Sequence, residues 1–170
     1  MGPVGSQGPI GPAGPAGPQG PQGIPGTTGQ NVVTVWNTGL TTITPASGFT
    51  IIPGLQTTVT VPANSKVYVS TYGGIQTTSG SLSGFSLVDV ALFVDGVLVP
   101  EAAYQRLNAI NGGVTGAFAY WAISTAPTIA AGAHTFTVRA KGNGSGSNAT
   151  VGGDNTSVLQ GELTVIFVKQ

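Results

Sequence analysis

Residues 85–100 read Phe85-Ser86-Leu87-Val88-Asp89-Val90-Ala91-Leu92-Phe93-Val94-Asp95-Gly96-Val97-Leu98-Val99-Pro100. An apolar run free of Gly and Pro, then Asp-Gly, then a short apolar run, predicts a strand, a tight turn and a returning strand. The turn is Val94-Asp95-Gly96-Val97, because Asp-Gly tolerates the positive φ angles that two-residue hairpins require. Alternation puts Val88, Val90, Leu92 and Val94 on one face of the first strand. Phe85, Leu87, Ala91 and Phe93 crowd the other, with Asp89 set oddly among apolar neighbours. A strand apolar on both sides must be covered on both sides.

Outward from this hairpin, the chain repeats short runs rich in Val, Thr, Ile, Phe and Tyr, broken by Gly, Pro, Asn and Ser clusters. That is the pattern of an all-β sandwich or barrel. The predicted strands cover 32–36, 40–44, 49–52, 56–61, 66–72, 85–94, 97–99, 104–110, 114–124, 133–140 and 159–168. In 57–61, Thr58 and Thr60 face one way and Val59 and Val61 the other. In 134–139, His134, Phe136 and Val138 oppose Thr135, Thr137 and Arg139. Asn111-Gly112-Gly113 is expected to turn a second hairpin between 104–110 and 114–124, with a short helix over Glu101–Ala109 as the competing reading. In the last strand Leu163, Val165 and Phe167 oppose Thr164, Ile166 and Val168, so both faces are again largely apolar. One face can pack inside the sandwich. The second packs either on sister subunits or inside a single domain.

The other end of the chain bears on that choice. Glycine falls at Gly2, Gly5, Gly8, Gly11, Gly14, Gly17, Gly20, Gly23, Gly26 and Gly29 without a break in phase. Three polyproline-II chains wind together only if glycine occupies every third place, since no side chain fits at the axis. A Gly/Pro linker has no reason to keep that phase. Residues 1–31 therefore read as a collagen-like triple-helical stalk, reaching roughly 90 Å if fully extended. Proline sits at the X position six times and at Y once, at Pro25, which points to a chain independent of proline hydroxylation. The stalk carries no charge, so ion pairs cannot set its register, and ten such triplets are expected to be marginal alone. Three chains favour sister subunits around a threefold axis, which makes Leu163, Val165, Phe167, Phe85, Leu87 and Phe93 the expected trimer interface. Because the triplet register is already running at Gly2, Met1 is expected to begin a truncated chain, with any anchor or export segment upstream and an anchor protein as a possible partner.

The 170 residues suit one domain plus a small element, divided as a stalk at 1–31 and a head at 32–170. Five Lys and Arg balance five Asp and Glu, which argues against nucleic acid or an anionic membrane as the main partner. Only Lys66, Arg106, Arg139, Lys141 and Lys169 could build a local basic strip. There is no cysteine, hence no disulfide framework or thiolate metal site, and no apolar run approaches the ~20 residues of a membrane span.

A Gly-X-Y stalk followed by about 140 residues of predicted β-sandwich resembles the bacterial and phage collagen-like proteins with tumour-necrosis-factor or complement-type jelly-roll heads. Residues 91–100 resemble the "strand, Asn/Asp-Gly, short strand, Pro" hairpin of bacterial members, among them the spore-surface exosporium glycoproteins. Ala131-Gly132-Ala133-His134-Thr135-Phe136-Thr137-Val138 is similar to an "Ala-Gly-x-His-Thr-x-Thr-Val" strand of such heads, and Leu163-Thr164-Val165-Ile166 to their terminal strand. The resemblance implies a trimeric jelly-roll β-sandwich, a terminal strand near the trimer axis, and a place outside the cell, on a cell or spore surface or in a virion tail. Calcium on the trimer axis, met in some relatives, would make Asp89 the acid to watch.

Chemistry is sparse. The sole histidine, His134, reads as a satisfied, partly buried side chain. A catalytic role would require Asp89 or Asp95 beside it and an activated serine, and no nucleophile-elbow motif is present. Residues 142–147 (Gly-Asn-Gly-Ser-Gly-Ser) imitate a phosphate loop but lack a lysine and a following helix, so they read as a surface loop. The five acids are scattered. No catalytic residue, cofactor or metal is expected, and the chain is not expected to be an enzyme. Trp36, Tyr68, Tyr72, Tyr104, Tyr120 and Trp121 offer aromatic surface for a glycan; adjacent Tyr120 and Trp121 must point to opposite faces. The expected function is a surface-filament tip whose head trimerises the chain and registers the triple helix. The alternative is a glycan- or receptor-binding tip of a phage tail fibre or bacterial adhesin.

Overall fold

A computed structural model describes residues 1–6, 8, 30–100, 103–111, 117–154 and 156–170. Of the phased glycines, Gly11 to Gly29 lie outside the described residues, so most of the segment read as a triple-helical stalk, 1–31, does too, while its last two residues, Gln30 and Asn31, begin β1. The described residues hold eleven strands and no helix: β1 (Gln30–Trp36), β2 (Thr41–Ile43), β3 (Thr50–Val61), β4 (Ser65–Thr77), β5 (Phe85–Val94), β6 (Val97–Leu98), β7 (Tyr104–Ile110), β8 (Phe118–Thr125), β9 (Gly132–Gly146), β10 (Ala149–Val151) and β11 (Glu162–Lys169).

Two antiparallel sheets result. In the β4 sheet the long strands run β1-β11-β4-β8, and β10 then β2 continue beyond β11 along the same edge of β4. In the β5 sheet the order is β3-β9-β5-β7, with β6 sharing the β7 edge of β5. Strands far apart in sequence are neighbours and the chain passes repeatedly between sheets, which is the arrangement of a jelly roll.

The hairpin at Asp95-Gly96 forms as the residue types require, with φ of 51° and 80°. The expected runs at 49–52 and 56–61 are one strand, β3, whose register shifts between Ile51 and Gln56. Pro53 has no N–H to give the ladder there, and Gly54 takes a φ of 83°. The second expected hairpin is corrected: β7 bonds to β5 and β8 to β4, so the connection through Asn111 changes sheets. The helix over 101–109 is replaced by β7 from Tyr104 onward. The loop expected at 142–147 is largely strand, because β9 runs on to Gly146 before β10 pairs with β4 and β2. Glycine makes that course possible. A Cβ at Gly142 would lie 2.0 Å from the Thr44 carbonyl oxygen, where the β2–β3 connection crosses β9.

Between the sheets, Val88, Val90 and Leu92 of β5 share one core with Leu163, Val165 and Phe167 of β11. Trp121 is buried over Gly73, where a Cβ would meet its ring at 2.3 Å, and its Nε1 donates to Thr71 Oγ1 at 3.2 Å. The expected interface is corrected here. Leu163, Val165 and Phe167 are covered by the opposite sheet of the same chain, and no second copy is needed to bury them. Phe93 is also covered within the chain, by Phe49 and Arg139. Leu87 is half-buried and Phe85 is exposed beyond them.

Candidate functional site

With the inner faces accounted for, the two outer faces carry whatever recognition this head performs. On the β4 sheet, the strand pairings set outward side chains in cross-strand rows. Val32, Ile166 and Tyr68 make one row, Thr34, Thr164, Ser70 and Ser124 the next, and Trp36, Glu162, Tyr72 and Ala122 a third. Tyr120 and Phe118 continue outward on β8. Val32, Trp36, Tyr68, Tyr72, Phe118 and Tyr120 are all substantially exposed. Thr34 and Thr164 hydroxyls bond at 2.9 Å, Trp36 meets Tyr72 edge-on at 6.4 Å, and Tyr72 donates its hydroxyl to Glu162 at 3.1 Å. Burial, then the Glu162 carboxylate, push the Tyr72 phenol above its usual range. Lys66 and Glu162 are the charged residues at outward positions of these four strands. As expected, Tyr120 and Trp121 part company, Trp121 into the core and Tyr120 onto this face.

The outer face of the β5 sheet is of another kind. Asp89, oddly placed in the sequence, points outward yet has a fully buried side chain. It accepts bonds from Arg106 Nε at 2.7 Å and Nη2 at 3.2 Å, from Asn143 Nδ2 at 3.1 Å, and from the Tyr104 hydroxyl. Burial alone would raise its pKa; the Arg106, Tyr104 and Asn143 hydrogen bonds outweigh that and hold the carboxyl below its ordinary range. Lys141 Nζ stands 3.9 Å away. Above this row, Phe49 from the β2–β3 connection packs edge-on against Phe93 at 5.0 Å and Tyr104 at 6.3 Å. Arg139 lies 4.4 Å over Phe93 and Lys141 4.9 Å over Phe49. A calcium role for Asp89 has no room in this arrangement, since its oxygens are already taken by donors. Among the described residues no three His, Cys, Asp or Glu side chains converge as a metal site would need.

His134 is the partly buried, satisfied residue the sequence predicts. Its Nδ1 lies 2.7 Å from Asp95 Oδ2 and its Nε2 3.1 Å from the Ala130 carbonyl oxygen. Asp95 also accepts the Thr135 N–H at 2.8 Å, and that bond, then His134, lowers its pKa. The trio ties the β5–β6 turn to the start of β9 beside a groove of about 540 Å³ lined by Val97, Leu98, Pro100, Pro127 and Ile129. No serine lines it.

Of the residues named from sequence, Asp89, Tyr104 and Arg106 meet, whereas Trp36, Tyr68, Tyr72 and Tyr120 gather on the opposite side of the head. Arg139 and Lys141 were named only as members of a local basic strip, and Phe49 was not named at all. Arg139 and Lys141 at alternate positions of one strand were the available signal; Phe49, ninety residues before Arg139, left none.

No protein-family model and no curated protein matches this sequence. Among solved structures, the chain is similar to a chain of infectious bursal disease virus, Gx strain, at 15% identity and a TM-score of 0.41, covering 82% of this chain and 36% of that one. It is similar to a chain of the Gt strain at 16% and 0.39, with 82% and 36% covered. It is also similar to a chain of a T13 viral particle of the same virus at 18% and 0.38, with 82% and 35% covered. The chain spans about a third of the length of each of these viral chains.

Proposed function

We propose that this is a structural protein whose head assembles three copies through the outer face of the β4 sheet and so registers the phased Gly-X-Y segment. The observation that carries the reading is the outward row set of Val32, Trp36, Tyr68, Tyr72, Phe118 and Tyr120, exposed in one copy and almost free of charge. Water-exposed aromatic surface of this extent is the mark of a contact surface. It lies on the sheet whose first strand starts at Gln30, directly after the last phased glycine. Three chain ends held together by the head raise one another's local concentration and offset the cost of nucleating a triple helix. The place of action is an exterior one, on a cell or spore surface or in a virion. A catalytic role is not assigned, because His134 Nε2 faces a carbonyl oxygen where a triad would put a nucleophile. Sedimentation of the full chain tests this: a trimer is expected at micromolar concentration, and a monomer would sink the proposal.

A second reading, the glycan- or receptor-binding tip of a fibre or adhesin, is favoured by the aromatic and cationic surface around Phe49. That surface stays open to solvent in an assembly made through the opposite sheet.

A further inference from the structure

Three of the five Lys and Arg side chains, Arg106, Arg139 and Lys141, stand at outward positions of the β5 sheet, where Asp89 is the one acid on its described strands. Three cations less one anion leave +2 on the described strands of this face, in a chain whose net charge is zero. Arg139 and Lys141 are about 7 Å apart along β9, and Arg106 stands two strands away, about 10 Å across.

The cations are not equivalent. Asp89 neutralises Arg106 through two hydrogen bonds. Lys141 makes a long ion pair, 3.9 Å, with the same carboxylate, which it shares with Arg106. Arg139 Nε donates to Thr137 Oγ1 at 3.1 Å, its guanidinium lies over Phe93, and no described carboxylate comes within 4 Å of it. Arg139, with no described carboxylate partner, and Lys141, with a shared one, are thus oriented by aromatic rings, with half-buried Phe49 and exposed Tyr104 beside them.

We propose that this face binds an acidic saccharide, its carboxylate or sulfate groups taken by Arg139 and Lys141 and a ring face laid on Phe49 and Tyr104. Arginine's fork suits planar or tetrahedral oxyanions, and aromatic faces suit the apolar side of a sugar ring. A nucleic acid is disfavoured, because so small a net positive charge gives a phosphodiester chain little affinity at physiological salt. The assignment deepens the second reading above and rests on it.

The test uses the full chain and four probes: a sulfated tetrasaccharide, a uronate-containing tetrasaccharide, an uncharged tetrasaccharide and a single-stranded oligonucleotide. Titration calorimetry is expected to show binding of the two acidic sugars that weakens as NaCl rises. The double variant Arg139→Gln, Lys141→Gln is expected to lose at least about tenfold in affinity, while Lys169→Gln keeps it. Should the double variant melt early, Lys141→Gln alone and the salt dependence of the unaltered protein decide. Equal binding of the oligonucleotide, or acidic-sugar binding untouched by these variants and by salt, overturns the proposal. Binding of the uncharged sugar alone overturns it and leaves the second reading standing; binding of no saccharide overturns both.

Discussion

The two sheets present nearly the same inner surface and opposite outer ones. Inside, both offer Val, Leu, Ile and Phe to a shared core. Outside, the β4 sheet shows exposed aromatics and a row of hydroxyls, whereas the β5 sheet shows a buried carboxylate ringed by donors and cations stacked on phenyl rings. The jelly roll constrains the inner faces through packing. It leaves the outer faces to be set by what each must meet, so the difference between them is where the function of this head is written.

The largest expected effect breaks the β4 face. Tyr68→Asp with Tyr120→Asp puts two carboxylates into the proposed contact and is expected to weaken association by roughly a hundredfold or more. The fold should survive, because both side chains point away from the core. Sedimentation velocity, with far-UV circular dichroism as a check on folding, reads the outcome. Unchanged association would move the contact elsewhere.

A moderate effect is expected on the β5 face. Asp89→Ala strips Arg106, Tyr104 and Asn143 of their shared acceptor and should cost about 2 kcal/mol, or roughly 5 °C in Tm. The figure stays modest because the Arg106 side chain is 54% exposed and can turn to water. Acid sharpens the same point. Since the folded state depresses the Asp89 pKa below its usual 3.8, its contribution is present above that pH and is lost as the pH falls through the depressed value. Stability measured from pH 5 down to 2 should therefore fall less steeply in Asp89→Ala than in the parent. Parallel curves would show that the carboxylate adds nothing.

Least is expected from Asp95→Asn, which loosens the tie between the β5–β6 turn and His134 at an exposed site. A Tm drop smaller than that of Asp89→Ala, with association and sugar binding unchanged, is the expected outcome by thermal melt. A larger drop would make this turn, and not either face, the weak point of the head.

Much of this was legible in the residues and some of it was not. The Asp95-Gly96 turn was readable because its φ angles are a local property, and so was the split of Tyr120 from Trp121. The final strand was harder. Leu163, Val165 and Phe167 look as suited to a partner as Thr164, Ile166 and Val168, because alternation separates two faces without saying which neighbour each will meet. The expected hairpin of β7 and β8 failed for a related reason: a turn signal marks where a chain reverses, and the sheet each arm joins is decided by distant strands.

What the sequence determined by itself is the local content: strands from alternation and a hairpin from Asp-Gly, both set by backbone sterics within a few residues. What only the tertiary structure decided is which apolar face is core, which is exposed, and that Tyr104, Arg106 and Lys141 meet around Asp89 while Phe49 and Arg139 pack on Phe93. Those outcomes depend on the order in which strands from all parts of the chain pair, and packing between sheets acts over distances that no local pattern encodes.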